Sequence, residues 1–170
     1  MASASSRATW DVLANQVVMT AMPLAGSLYN RDQWDGYAPA RSRLLGQIRA
    51  GGAENAVVLT GDIHAAGVGD LVDENPDGSP GTDPVGTELV GGSISSRFDP
   101  ALAEIAEQLI AALPHIRYAD TRRRGYMVCD ATPAELVTRF QVVDSTATPA
   151  EPVYTAGTWT SLAGVPGVQT

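Results

Sequence analysis

Apolar positions along this chain alternate between short unbroken runs and longer runs at helical spacing, and the two patterns predict different elements. Ala56-Val57-Val58-Leu59 is an unbroken apolar run that stops at Gly61. A run with β-branched members and no polar alternation predicts a strand at 56–60 covered on both faces. Gln16 to Met22, rich in Val and Met ahead of Pro23, predicts a second buried strand. Thr87 to Val90 predicts a third in the same sheet, and Ala66 to Val72 an extended piece returning beside 56–60. Helical spacing marks Pro39 to about Ala50, with Leu44, Leu45 and Ile48 inward, Arg41, Arg43 and Arg49 outward, and Gly51-Gly52 as the stop. It also marks 100–113, where Asp99 caps, Pro100 enters the first turn, and Leu102, Ile105, Ala106, Leu109, Ile110 and Leu113 form an apolar stripe. Thr9 to Ala14 is expected as a short helix. Gly125 to Asp130 and Glu135 to Val143 are expected as paired strands joined across Thr132-Pro133. The stretch 145–170 is Thr-, Ala- and Gly-rich with Trp159 as its anchor, and is expected as a loosely ordered tail. Strands interleaved with helices place the chain in the α/β class.

Length and charge narrow the picture. A chain of 170 residues with 44% hydrophobic content suits one unit over 1–170, and no apolar run is long enough to span a bilayer. A formal net charge of -8 argues against a nucleic-acid partner, because phosphate neutralisation needs clustered Lys and Arg, and Arg122-Arg123-Arg124 is the one basic cluster. The lone Cys129 excludes an internal disulfide and is expected as a small buried thiol. Met1 to Arg7 has no apolar stretch of the kind a secretory signal carries.

Candidate chemistry gathers where the 56–60 strand ends. Asp62 and His64 follow Gly61, and in sheets covered by helices ligands sit beyond the carboxyl ends of strands. A carboxylate and an imidazole two residues apart can face one cavity and offer a cation hard and borderline donors. The alternative reading is an Asx-type turn beside a partly exposed histidine. The loop from Pro23 to Tyr37 concentrates Asp32, Trp34, Asp35 and Tyr37, as functional loops do, or is a connection anchored by Trp34. Asp73, Asn75, Asp77 and Gly78 match the first half of a calcium loop, but Pro84 stands where its bidentate Glu belongs, so 73–84 is expected as a solvated acidic loop. Gly91 to Ser96 presents small residues that could approach an anion or serve as a flexible linker. No G-x-S-x-G elbow activates Ser93, Ser95 or Ser96.

Taken together, W-D-V-L-A-N-Q (10–16), D-Q-W-D-G-Y-A-P-A-R (32–41), V-V-L-T-G-D-I-H (57–64), Glu88 to Ser96, Pro114-His115 and Arg124-Gly125-Tyr126 resemble the PhoD-like alkaline phosphatase D branch of the calcineurin-type metallophosphoesterases. The resemblance implies the carboxyl-terminal half of a four-layer α/β/β/α sandwich, hydrolysing phosphate monoesters and diesters with iron and calcium. It implies Asp62 and His64 as metal ligands and Trp34, Asp35, Tyr37, Arg41 and His115 as the border of the substrate pocket. Family ligands from the preceding half, an Asp, a Tyr, an Asn and a Cys, have no counterpart before Thr9, and Cys129 lies in the wrong motif to replace the Cys. The chain is expected to be either a truncated reading frame or a piece completed by another chain. The expected partners are a phosphate ester and, in the second case, the missing amino-terminal half as a separate chain, with no nucleic acid and no membrane insertion. The resemblance implies a periplasmic or secreted setting for the full-length protein. The rival function is a non-catalytic interaction module that retains the half-sandwich, and metal content separates the two.

Overall fold

The computed structural model describes residues 8–23, 30–75 and 79–169. Two sheets stack with a helix outside one of them. The larger sheet has the order β1-β2-β4-β3-β5, from β1 (Asp11–Ala14), β2 (Ala56–Thr60), β3 (Ala66–Glu74), β4 (Pro80–Val90) and β5 (Ile116–Asp120). β1, β2 and β4 run parallel, while β3 is antiparallel to both β4 and β5. The smaller sheet is the antiparallel set β6 (Arg124–Ala131), β7 (Glu135–Val143) and β8 (Tyr154–Leu162).

α1 (Ala38–Ala50) supplies the crossover that a parallel β1–β2 pair requires. Its Leu45 and Ile48 pack with Met19, Val58, Leu71 and Val85 on one face of the larger sheet. On the other face Val57, Val68 and Leu89 meet Leu136, Phe140 and Val142 of β7, with Tyr118 and Trp159 beside them. Tyr118 lies 4.3 Å from Trp159 and 5.2 Å from Phe140, ring centre to ring centre, and burial pushes its hydroxyl up to about 12. β2 is thus covered on both faces. Val57 and Val58 are each 1% exposed, and removing such a side chain from water contributes roughly 1.5–3 kcal/mol. The result is a mixed α/β structure made of part of an α/β sandwich: helix, five-stranded sheet, three-stranded sheet.

Several elements differ from expectation. Residues 11–14 form an edge strand instead of a helix, because four residues beside the end of β2 gain more from a ladder than from one helical turn. β3 pairs with β4 and β5 and not with β2. β4 begins at Pro80, so much of the expected acidic loop belongs to a long hairpin, with Asp77 and Gly78 outside the described residues. β8 occupies the stretch expected as a tail and completes the second sheet. α2 (Pro100–Ala111) lies against β5 and buries only Ala106, leaving Ile105 and Leu109 exposed along its apolar stripe. Cys129 is exposed rather than buried. Arg41 is buried instead of outward, for a reason that lies in the site.

Gln16 to Met22 is the most instructive departure. Its residues 18–21 are buried, as expected of an apolar run, yet they form no strand. Side chains replace the ladder. Val18 N–H donates to Gln33 Oε1 (2.5 Å), Met19 and Thr20 N–H to the two oxygens of Glu88 (2.7 and 2.6 Å), and Met22 N–H to Asp35. In the other direction Val18 C=O accepts from Trp34 N–H and Ala21 C=O from His115 Nε2. Every such pairing meets the requirement that buried backbone groups be satisfied.

Candidate metal centre

The turn after β2 carries the two candidate donors. Both adopt left-handed backbone, Asp62 at φ 74 and His64 at φ 59. Such a conformation costs a residue with a Cβ of order 1–3 kcal/mol and persists where the surroundings fix it. The surroundings here are the end of β2, held to its neighbour by Gly91 N–H donating to Thr60 C=O at 2.8 Å, and a local bond from Ile63 N–H to Gly61 C=O. The turn therefore lifts two donor side chains out of the parallel strand's carboxyl end, both exposed, with Ile63 between them turned partly inward.

Asp62 Oδ2 accepts from Gln33 Nε2 at 2.8 Å, and Oδ1 has no hydrogen bond among the described residues. His64 has none either among these residues. The pair lines a cavity of about 460 Å³ whose other lining residues include the buried Gln33 and the apolar Val68, Leu102, Ala106 and Ile110. Among the described residues no group of three or more His, Cys, Asp or Glu side chains is placed to hold a metal ion. The donor types suit a cation, a free carboxylate oxygen beside an imidazole, but a firmly held ion takes three or more protein ligands. The described residues fit a contribution to a shared centre.

The loop motif is organised from beneath. Trp34–Tyr37 forms a 3-10 turn, and Trp34 packs on the core below α1. Gly36 is required there, since a Cβ would lie 2.1 Å from the Arg31 carbonyl oxygen. Asp35 receives Arg41 Nη1 at 2.5 Å, and Arg41 Nη2 reaches Glu74 Oε1 at 2.5 Å. This double pairing explains why Arg41 points inward. Tyr37 is exposed. His115 is 4% exposed, with Nε2 2.7 Å from Ala21 C=O and Nδ1 without a partner among the described residues, and burial holds its imidazole below the usual histidine range.

Two supporting residues escaped the sequence reading. Gln33 sat inside the loop motif without a role. Glu88 is fully buried, and burial pushes its carboxyl up while the N–H groups of Met19 and Thr20 and the Thr60 hydroxyl draw it back. A charged residue inside Thr87-Glu88-Leu89-Val90 was the available signal.

Residues 2–140 match the model of the PhoD-like phosphatase family. The chain belongs to the PhoD-like phosphatase family. It is 35% identical over 144 residues to alkaline phosphatase D of Bacillus subtilis (strain 168), covering 82% of this chain and 24% of that protein. It is also similar to a solved structure described as the structure of PhoD, with a TM-score of 0.81, 30% identity, and coverage of 98% of this chain and 32% of that one. The chain thus spans about a quarter to a third of the length of these PhoD-like relatives. No helix among the described residues is long and apolar enough to cross a membrane.

Proposed function

We propose that this chain contributes Asp62 and His64 to the metal centre of a phosphoesterase acting on phosphate monoesters and diesters. The observation that carries the reading is the pair of left-handed donors at the carboxyl end of β2, one carboxylate oxygen held by Gln33 and the other left to bind. Membership of the PhoD-like family supports it. Asp62 suits calcium and His64 suits iron. When bound, such ions supply Lewis acidity that activates water and offsets charge on the phosphoryl oxygens.

The chain's own residues do the holding. Asp62 presents Oδ1, and His64 presents a ring nitrogen unengaged by the described residues. Trp34, Asp35 and Tyr37, like Arg41 and His115, stand outside the lining of the cavity beside Asp62 and His64, with the first three in the turn that follows Gln33. Arg41, whose charge is met by Asp35 and Glu74, braces that turn against β3. The remaining ligands come from protein other than these described residues. The isolated chain then binds metal weakly and turns over negligibly, since two donors rarely hold an ion against water.

The test is hydrolysis of a chromogenic monoester and diester with iron and calcium present. It is run on the chain alone and on the chain completed by the preceding portion of a PhoD-like relative. Completion restores turnover, and Asp62→Ala or His64→Ala then abolishes it. Robust hydrolysis by the isolated, chelator-treated chain would refute the metal mechanism, and full activity in the completed His64→Ala protein would refute that ligand.

A further inference from the structure

We propose that Gln33 is a positioning residue that aims the Asp62 carboxylate so that Oδ1 faces the cation. This inference rests on the metal-centre reading above. Gln33 is 1% exposed, and the orientation of its amide is fixed by chemistry. Val18 N–H can only donate, so the oxygen of the Gln33 amide must be the atom 2.5 Å from it. The NH₂ group is then necessarily the end that meets Asp62 Oδ2 at 2.8 Å.

The bond spans 29 residues of sequence and joins a rigid interior to an exposed turn. Asp62 itself is exposed, and its side chain has several rotamers open to it in water. A carboxylate held through one oxygen presents the other in one direction, and the ordering is complete before any ion arrives. The amide is neutral, so it holds Oδ2 without a cation that would compete with the metal for the carboxylate's charge.

A bystander role is conceivable for a buried glutamine: satisfying the Val18 N–H and nothing more. The two roles differ in what calcium does to the Gln33 NH₂ group and in what the loss of that group does to calcium.

The experiment is a calcium titration of the 170-residue chain, carried to the high concentrations that weak two-donor binding requires and followed by the side-chain amide signals in nitrogen-15 NMR. Calcium moves the Gln33 NH₂ signal, because the carboxylate it touches now shares its charge with the ion, and Asp62→Ala removes that response. Gln33→Met weakens calcium binding about tenfold or more, the usual scale for losing a group that orients a metal ligand. Phe140→Leu, a cavity in the core between the sheets, lowers stability yet leaves affinity within about twofold, because its ring partners Tyr118 and Trp159 hold neither Gln33 nor Asp62.

Wild-type affinity in a folded Gln33→Met chain, with binding abolished by Asp62→Ala, would overturn the positioning role and leave the metal centre standing. A Gln33 signal that stays still at saturating calcium would do the same without any substitution at 33. Wild-type calcium affinity in Asp62→Ala would remove the metal-centre reading, and this proposal with it.

Discussion

Glu88 Oε1 accepts a hydrogen bond from Thr60 Oγ1 at 2.9 Å, tying the last residue of β2 to the neighbouring strand one step before the turn that carries Asp62. The same carboxylate also receives Met19 and Thr20 N–H. Three donors on one buried acceptor make its shape-preserving amide a poor substitute. Glu88→Gln aims an NH₂ group at a donor and leaves at least one N–H or hydroxyl unmet. Each unmet buried group costs about 1–3 kcal/mol, so urea unfolding of Glu88→Gln should show a loss of that size. An unchanged midpoint would contradict the role.

Arg41 is 1% exposed and carries two carboxylates. Arg41→Met leaves Asp35 and Glu74 uncompensated in a partly dry site, and removing one partner of a buried pair costs about 3–5 kcal/mol. Asp35→Asn in the same background removes part of the unbalanced charge and should recover some of the loss. Thermal unfolding of the two variants checks both statements.

His115 makes stability depend on pH. Burial lowers its folded pKa beneath the ordinary 6.5, so between the two values the unfolded chain binds the proton and the folded chain does not. Stability from this residue is therefore fully present above about 6.5 and declines as pH falls through the window below it. Glu88 acts with the opposite sign, since its raised pKa lets the folded chain take a proton first and lowers stability as pH rises from 4.5. Between about pH 7.5 and about pH 5 the urea midpoint of the His115→Gln chain should fall less, or rise more, than that of the wild type as pH is lowered.

β1 is the edge strand of its sheet and exposes Val12 (54%) and Leu13 (40%). An exposed apolar edge strand invites pairing with another chain. The isolated chain is expected to self-associate, and Val12→Lys should reduce its light scattering. A monodisperse monomer that binds no apolar dye would count against this reading of the edge.

What could be read from the sequence was what local pattern controls. β2, α1, β6 and β7 were visible because an unbroken apolar run, a helical stripe with a Gly stop, and two β-rich runs across Thr132-Pro133 each encode their own geometry. Asp62 and His64 stood out because they break the apolar run abruptly. β8 was hidden by its Thr- and Gly-rich composition, although Thr is a good strand former and Trp159 supplied the core contact. Residues 18–22 looked like a strand because burial and strand pairing leave the same apolar signature. The acceptors that replaced the ladder lie as far as 69 residues away. Gln33 and Arg41 share that difficulty, since their partners are brought to them by the fold.

Segment 18–22 has one more property that follows from being secured by side chains. Strand amides are shielded collectively and exchange with solvent deuterium when the ladder opens. Here Val18, Met19 with Thr20, and Met22 are shielded by three different residues, Gln33, Glu88 and Asp35. Their exchange rates are therefore separately addressable, and each amide proton acts as a gauge of one side chain beneath the site.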